Sequence, residues 1–143
     1  MIRLVVDASV VAKWYPPCDQ EPLATEAQTL LKLWVIGGVD LAAPDLIWVE
    51  ITNILWKSVR SKRCSLGDAK STLAALHQQR LPTVPTAPLV ERALEIAVQH
   101  GRTAYDSLYV ALAAASNAEL VTADEKLVNA LTAYFRVRWL GTV

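Results

Sequence analysis

The chain opens with Met1-Ile-Arg-Leu-Val-Val-Asp7-Ala-Ser9, in which Ile2 to Val6 form a short run of apolar and β-branched residues. Such a run is typical of a buried strand. The apolar stretch from Val10 to Tyr15 predicts a helix, which leaves Asp7 at the junction. In open parallel α/β sheets, ligands bind beyond the carboxyl ends of the strands. Asp7 therefore stands where chemistry is expected, although Asp is also a favoured helix N-cap.

The composition limits the class of protein before any motif is considered. The chain has 143 residues, of which 53% are hydrophobic and 20% charged, as expected for one domain with a real core. The 14 basic and 14 acidic residues cancel, so any attraction to nucleic acid must be local. Cys18 and Cys64 have neither metal-site nor disulfide spacing. Because the sequence shows no signal peptide and no apolar run of ~18 residues, we expect a cytoplasmic protein without membrane partners.

Strand-like and helix-like stretches alternate along the chain, which predicts an α/β sandwich with a mostly parallel sheet. Asp45 is the expected N-cap of the helix that starts near Leu46. A central buried helix is expected after Thr103, because the eight residues from Leu108 carry no polar side-chain group except the Tyr109 hydroxyl. The expected strands are Ile2–Val6, Val39–Ala43, a short strand or extended link at Leu81–Thr86, Glu119–Thr122 and Arg136–Leu140.

The helix that starts near Leu46 is apolar around most of its circumference, so it is either buried on two sides or covered by a partner. A narrow polar strip along it consists of Glu50, Asn53 and Lys57. Its end is strongly basic, because residues 57–63 hold four of the 14 basic residues. Such a run is either a solvated helix end or a patch that contacts phosphates, and the sequence leaves both interpretations open.

Three further carboxylates stand in positions as unusual as that of Asp7. Glu50 borders an apolar helix face, Asp106 lies in the first turn of the central helix, and Asp124 closely follows a strand. Each has a structural explanation: an ion-paired or solvated side chain, a capping box with an upstream threonine, and an N-cap, respectively. Together, however, four neighbouring carboxylates would repel one another and raise at least one pKa, and a divalent cation relieves that repulsion.

An all-oxygen set of ligands selects a hard ion such as Mg²⁺ or Mn²⁺ over Zn²⁺. Carboxylate-bound Mg²⁺ suits phosphodiester chemistry, in which metal ions activate a water and steady the leaving oxygen. No other catalytic apparatus competes in the sequence, because neither cysteine has an adjacent histidine and a phosphate-binding glycine loop is absent. His77 and His100 fall on helices that look exposed.

The four acids lie in the stretches Val5-Val-Asp7-Ala-Ser9-Val-Val-Ala-Lys13-Trp14, Pro44-Asp45-Leu-Ile-Trp-Val-Glu50-Ile-Thr-Asn53, Tyr105-Asp106-Ser-Leu-Tyr109-Val-Ala-Leu-Ala113 and Leu120-Val-Thr122-Ala-Asp124-Glu-Lys-Leu127. In this order they resemble the four motifs of the PIN-domain nucleases, specifically the VapC-type toxins of bacterial and archaeal toxin–antitoxin pairs. The resemblance spans the whole chain, and the length suits a stand-alone toxin.

The resemblance implies a three-layer α/β/α fold with a mostly parallel central sheet, a single nuclease domain over residues 1–143, and a Mg²⁺-dependent endoribonuclease for which Mn²⁺ can substitute. It also implies an RNA substrate, a cognate antitoxin and a homodimer. The apolar third helix, with Trp48 and Trp56, suits such protein surfaces. A local basic rim beside the metal could hold the RNA. The predicted rim consists of Lys13, Arg60, Lys62 and Arg63.

On the positions that match the motifs, the resemblance implies an acidic catalytic cluster of Asp7, Glu50, Asp106 and Asp124. Asp7 and Asp106 are expected to touch the ion, and the other two to bind it directly or through water. Hydrogen-bonding support is expected from the polar side chains of Ser9, Thr122 and Asn53. Glu125 is an alternative ligand to Asp124, and Asp124 is preferred because it precedes the helix.

Two other function classes remain open from the sequence. A Mg²⁺-dependent phosphatase or phosphotransfer domain could use a similar sheet, but an Asp-x-Asp phosphatase would need a second acid where Ser9 stands. A non-catalytic module that binds RNA or protein would use the acids as caps and the apolar helix as a docking surface. Metal uptake that depends on Asp7 distinguishes an enzyme from such a module.

Overall fold

The computed structural model describes residues 2–143, which form five strands and seven helices. The strands are β1 (Ile2–Val6), β2 (Val39–Pro44), β3 (Thr83–Val84), β4 (Glu119–Thr122) and β5 (Val137–Trp139). The helices are α1 (Ala8–Val11), α2 (Ala24–Val35), α3 (Ile47–Arg60), α4 (Leu66–Gln78), α5 (Val90–His100), α6 (Ala104–Ala115) and α7 (Glu125–Leu131). Short 3-10 turns lie at Ala12–Trp14, Cys18–Gln20, Ala87–Leu89 and Leu140–Thr142.

The strands form one sheet in the order β3-β2-β1-β4-β5, and every neighbouring pair is parallel. The predicted parallel sheet is therefore confirmed. The stretch at Leu81–Thr86, predicted as a strand or link, contributes only the two-residue edge strand β3. The opposite edge is β5, where Arg138 pairs with Glu119 of β4 across 2.9 Å.

Helices cover both faces of the sheet in a three-layer α/β/α sandwich, as the resemblance implied. Strands β2 and β3 are added on one side of β1, and strands β4 and β5 on the other. Because crossovers between parallel strands are right-handed, the helices that connect the first group lie on one face of the sheet and those that connect the second group lie on the opposite face. The central helix α6 packs on β1, β2 and β4, with α5 against its outer side. Residues 107–113 of α6 are all buried, which confirms the expected central helix.

The third helix buries one face, on which Ile47, Ile51 and Leu55 recur at helical spacing. On the other side, Val49 and Trp56 are 66% and 52% exposed, so α3 presents apolar surface to the outside. The prediction that Asp45 caps this helix is wrong, because Leu46 occupies the N-cap position. The Asp45 N–H instead donates to the Val84 carbonyl across 2.8 Å, which holds Asp45 at the end of the β2–β3 pairing.

The longest helix, α3, has 14 residues. Among residues 2–143, the structure contains no helix with both the length and the hydropathy that a bilayer crossing requires.

Candidate active site

The site lies where the central strands β1 and β4 end side by side. Val6 pairs with Val121 in the register of β1 and β4. Asp7 and Asp124 therefore follow the carboxyl ends of neighbouring strands at the same edge of the sheet. The connections that leave these two strands run to opposite sides, and this is the position at which open α/β sheets form a ligand crevice. The predicted convergence of strand ends therefore follows from the topology.

All four predicted acids line one cleft of about 530 Å³. They come from four separate elements, since Asp7 follows β1, Glu50 lies on α3, Asp106 on α6, and Asp124 precedes α7. A cleft of this volume is within the range that small-molecule and cofactor sites occupy. The other residues that line it include Ala8, Ser9, Leu46, Val49, Asn53, Ile54, Lys57, Tyr105 and Tyr109.

Asp7 is the most deeply placed of the acids, with 9% of its surface exposed. Its Oδ1 accepts a hydrogen bond from the Ser9 hydroxyl across 2.5 Å. Burial raises the pKa of the Asp7 carboxyl to about 6, against the opposing effect of hydrogen bonds from Ser9 and Thr122. Asp7 occupies the N-cap position of α1, but its side chain makes no geometric capping hydrogen bond there in the described residues, so capping alone does not explain its buried carboxyl.

Ser9 and Thr122 make hydrogen bonds at the ends of β1 and β4, next to the acids. The Ser9 hydroxyl donates to Asp7 and accepts the backbone N–H of Ala123 across 3.1 Å, so it ties the ends of β1 and β4 together. Thr122 is fully buried, and its Oγ1 accepts the Asp124 N–H across 3.1 Å. Both hydroxyls thereby fix the backbone from which an acid projects.

Glu50 is held by a residue that the sequence analysis did not assign to the site. The Tyr109 hydroxyl donates to Glu50 Oε1 across 2.5 Å, which joins α6 to α3. Burial raises the pKa of Glu50, the Tyr109 hydrogen bond lowers it, and the Asp106 charge raises it further, with a net increase. Burial and the bond to Glu50 also raise the pKa of Tyr109, so the phenol stays protonated and remains a donor.

The N-cap of α6 is Thr103 and not Asp106. Thr103 caps α6, because its Oγ1 accepts the Asp106 backbone N–H across 3.1 Å. The Asp106 carboxylate forms an ion pair with Arg102 across 3.4 Å. The sequence analysis did not identify this pair, although the spacing of four residues is one at which side chains meet.

Asp124 both caps a helix and lines the cleft. Its Oδ1 accepts the backbone N–H groups of Lys126 and Leu127, across 3.0 and 3.3 Å, which leaves Oδ2 for another ligand. The cap explanation is thus correct for Asp124, but it does not exclude a role in the site. Glu125 is exposed and lies outside the residues that line the cleft, whereas Asp124 lines it.

The acids fit a hydrated cation better than a tightly enclosed one. As the side chains stand, no three acidic, histidine or cysteine groups within residues 2–143 enclose an ion by themselves. Mg²⁺ ordinarily keeps several waters and takes only one or two carboxylates directly, so it does not require three enclosing protein groups. A cation there would also offset the cost of ionising Asp7, whose burial favours the neutral form.

The predicted basic rim is dispersed. Lys13 and Arg63 both pair with Glu21, across 3.1 and 2.9 Å, and the Arg60 guanidinium lies over the Trp56 ring. In the described part of the chain, neither these three residues nor the exposed Lys62 lines the acidic cleft. Arg63 lines a neighbouring cavity instead.

Lys57 and Tyr105 line the cleft in place of that rim. Lys57 belongs to the basic run and to the polar strip of α3. It follows Glu50 by seven residues, or about two helical turns, and this spacing predicts that both side chains lie on the same face of the helix. Tyr105 directly precedes Asp106 and is 59% exposed, so its aromatic ring is accessible at the cleft.

Comparisons with known proteins agree with the motifs. The family model described as the PIN domain matches residues 4–130. The chain is 32% identical over 130 residues to ribonuclease VapC3 of Pyrobaculum aerophilum, a match that covers 90% of this chain and 94% of the relative.

Solved structures of similar proteins show the same fold. The crystal structure of PAE2754 from Pyrobaculum aerophilum superposes with a TM-score of 0.71 at 23% identity, covering 99% of this chain and 92% of the other. A toxin–antitoxin complex from Klebsiella pneumoniae contains a chain with a TM-score of 0.62 at 15% identity, with coverages of 94% and 95%. The family match spans most of the chain and its acids share one cleft, so the protein belongs to the PIN-domain family and is a ribonuclease of the VapC type.

Proposed function

We propose that this chain is a Mg²⁺-dependent endoribonuclease and the toxin of a toxin–antitoxin pair. The observation that carries the proposal is the convergence of Asp7, Glu50, Asp106 and Asp124 on one cleft, with Asp7 buried at the end of β1. RNA hydrolysis by relatives such as the P. aerophilum ribonuclease supports the same activity here. These findings favour the nuclease over the phosphatase and over the non-catalytic module.

Ribonucleases of this type depend on metal ions in general, and we propose Mg²⁺ here, with Mn²⁺ as a substitute. Asp7 and Asp106 would hold the ion directly, and Glu50 and Asp124 directly or through water. A bound Mg²⁺ supplies Lewis-acid chemistry: it makes a water more nucleophilic and stabilises charge on the phosphate oxygens.

The residues of the chain itself hold this arrangement in place. Ser9 fixes the orientation of Asp7, and Tyr109 fixes that of Glu50, through hydrogen bonds of 2.5 Å each. Glu50 and Asp7 both have raised pKa values, but Asp7 would hold the ion directly, which leaves Glu50 as the proposed acceptor of a proton from the attacking water. The exposed Tyr105 ring offers a stacking face to an unpaired base of the RNA.

Two apolar surfaces suit protein partners. Val90, Leu94 and Val98 are 52%, 62% and 79% exposed and recur every four residues along α5, so they form one apolar stripe. We propose that a second copy of the chain covers this stripe. The antitoxin would cover the outer side of α3 around Val49 and Trp56, whereas Trp48 already stacks on His77 within the chain. We also propose the cytoplasm as the compartment, where free thiols such as Cys18 and Cys64 stay reduced.

Incubation of total cellular RNA with the purified protein tests the activity. Mg²⁺, Mn²⁺ and a chelator are compared for the wild type, Asp7→Asn and Asp106→Asn, with Asp40→Asn as a control because Asp40 is exposed on β2. We expect discrete fragments that require a metal and are lost in both cleft variants but kept in the control. Uncut RNA in the wild type under all conditions, or equal cutting by the cleft variants, would contradict the proposal.

A further inference from the structure

Lys57 lies where the acidic cleft meets a second cavity. This cavity has a volume of about 310 Å³, and Ile54 and Lys57 line both spaces. Its other lining residues are Glu21, Ser58, Ser61 and Arg63. The two cavities therefore adjoin each other along α3, and we call them together the groove, of which only the first part carries the acids.

The Lys57 ammonium is positioned to meet substrate in this groove. Lys57 follows Glu50 by seven residues, so it shares the face of α3 and lies about 10 Å further along the helix axis. Its side chain is exposed, and within residues 2–143 it takes part in none of the five ion pairs. Within residues 2–143, therefore, no carboxylate lies within ion-pair distance of the Lys57 ammonium.

The second cavity is lined by a second positively charged side chain, Arg63, whose guanidinium is held in place by hydrogen bonds. Arg63 donates through Nη1 to Glu21 across 2.9 Å and through Nη2 to the Pro17 carbonyl across 3.4 Å, which leaves other guanidinium N–H groups for a ligand. Glu21 also binds Lys13, so two cations share one carboxylate. With Lys57 included, the groups around this cavity carry a net positive charge, opposite to that of the cleft.

We propose that the RNA strand runs from the acidic cleft past Lys57 into the second cavity, where Lys57 contacts the phosphate next to the one that is cut and Arg63 contacts a further phosphate. This proposal rests on the ribonuclease function, and it assigns the path that the bound RNA strand follows beyond the catalytic acids. An acidic segment of a protein would meet the same cations, but the second cavity adjoins the cleft that holds the four acids, which favours RNA.

Salt-dependent binding tests the proposal. The probe is a short single-stranded RNA of mixed sequence with a 5′-fluorescein label, and the full chain carries Asp7→Asn to prevent cleavage. Fluorescence anisotropy gives the affinity over a range of KCl concentrations in the presence of Mg²⁺. Each lost phosphate contact reduces the slope of log K against log salt by about 0.7 for a single strand.

We expect Lys57→Gln and Arg63→Gln each to weaken binding and to flatten the slope by about 0.7, whereas Lys57→Arg preserves both. Lys70→Gln is the matched control, because Lys70 is an exposed residue of α4 outside both cavities, and it should bind like the parent chain. Circular dichroism confirms that each variant is folded.

An unchanged slope in Lys57→Gln would overturn the proposal, as would an equal loss in the Lys70 control. A variant that binds RNA normally but loses affinity for an acidic peptide would assign the groove to a protein partner and would overturn it too. Cleavage of total RNA by the wild type separates this result from a failure of the nuclease function, because cutting can persist when Lys57 proves irrelevant.

Discussion

The hydroxyl of Tyr109 donates to Glu50 Oε1 across 2.5 Å and so connects two helices whose residues lie 59 positions apart in the chain. This contact fixes a carboxylate that otherwise sits half-buried on a helix face. It also means that one of the four acids depends on α6 for its orientation, although it is carried by α3.

Tyr109→Phe should therefore reduce the cleavage rate about tenfold, equivalent to about 1.4 kcal/mol, while the RNA affinity stays near that of the wild type. Loss of the hydrogen bond removes the contribution that lowers the pKa of Glu50, so that pKa rises further. The acidic limb of the pH–rate profile should then move to higher pH. Steady-state kinetics across pH measures both effects, with Tyr134→Phe, an exposed tyrosine, as the control. An unchanged rate and profile would show that Glu50 does not need this contact.

Asp7→Asn should stabilise the metal-free protein above pH 6. The unfolded carboxyl ionises above 3.8 and the folded one only above about 6, so the folded state binds more protons in between. Stability is therefore lost as pH rises from 3.8 to about 6, by at most about 3 kcal/mol for this pKa difference. Asparagine removes that loss and can still accept the Ser9 hydrogen bond.

Chemical denaturation in chelator measures this difference, which should be near zero below pH 3.8 and largest above pH 6. Asp40→Asn, on the exposed side of β2, should change stability little at either pH. If Asp7→Asn instead lowered stability strongly above pH 6, Asp7 would be a structural residue and the argument for the site would weaken.

Tyr105→Ala should weaken the binding of single-stranded RNA about tenfold, because base–aromatic stacking contributes about 1–3 kcal/mol per base. Tyr105→Phe keeps the ring and removes only the hydroxyl, so it should bind like the parent chain. Fluorescence anisotropy with an uncut RNA probe compares the two variants. Equal losses in both would assign the effect to the hydroxyl, and no loss in either would remove Tyr105 from the substrate path.

Leu94→Glu should convert a homodimer into a monomer. The change places a charge in the middle of the apolar α5 stripe, where Leu94 is 62% exposed. Light scattering coupled to size-exclusion chromatography reports the mass, and Leu66→Glu is the control because Leu66 is 61% exposed on α4. A monomeric wild type, or a variant that remains dimeric, would show that the stripe is not the contact between copies.

The fold and the positions of the acids could be predicted because they depend on local patterns. β1 is a short β-branched run that ends at Asp7, and β4 ends two residues before Asp124. Parallel strands bring their carboxyl ends to one edge, so the two acids had to lie near each other once the sheet was parallel. The apolar sequence of α6 likewise required a central position.

Contacts between distant side chains could not be predicted in the same way. The periodicity of α3 and α6 showed which faces are buried, but not that Tyr109 would meet Glu50. The distance of the four rim residues from the acidic cleft could not be predicted for the same reason, because Glu21 draws Lys13 and Arg63 together through loop packing that leaves no periodic signal.

The preference of aspartate for N-cap positions also failed to predict where α3 starts. Asp45 is a good N-cap residue by type, yet its N–H is taken by the Val84 carbonyl across 2.8 Å. The helix starts after Leu46, a residue with no capping side chain, so the residue type at position 45 did not determine its start. The backbone of Asp45 is instead held at the end of the two-residue pairing of β2 with β3.

The most direct test of the catalytic centre is the location of Mn²⁺ by anomalous scattering in crystals of the wild-type protein grown with that ion. We predict a strong peak in the cleft within coordination distance of Asp7 and Asp106, and its disappearance in Asp7→Asn crystals grown in the same way. A peak outside the cleft, or none at saturating Mn²⁺ in the wild type, would contradict the assignment of these carboxylates as the metal site.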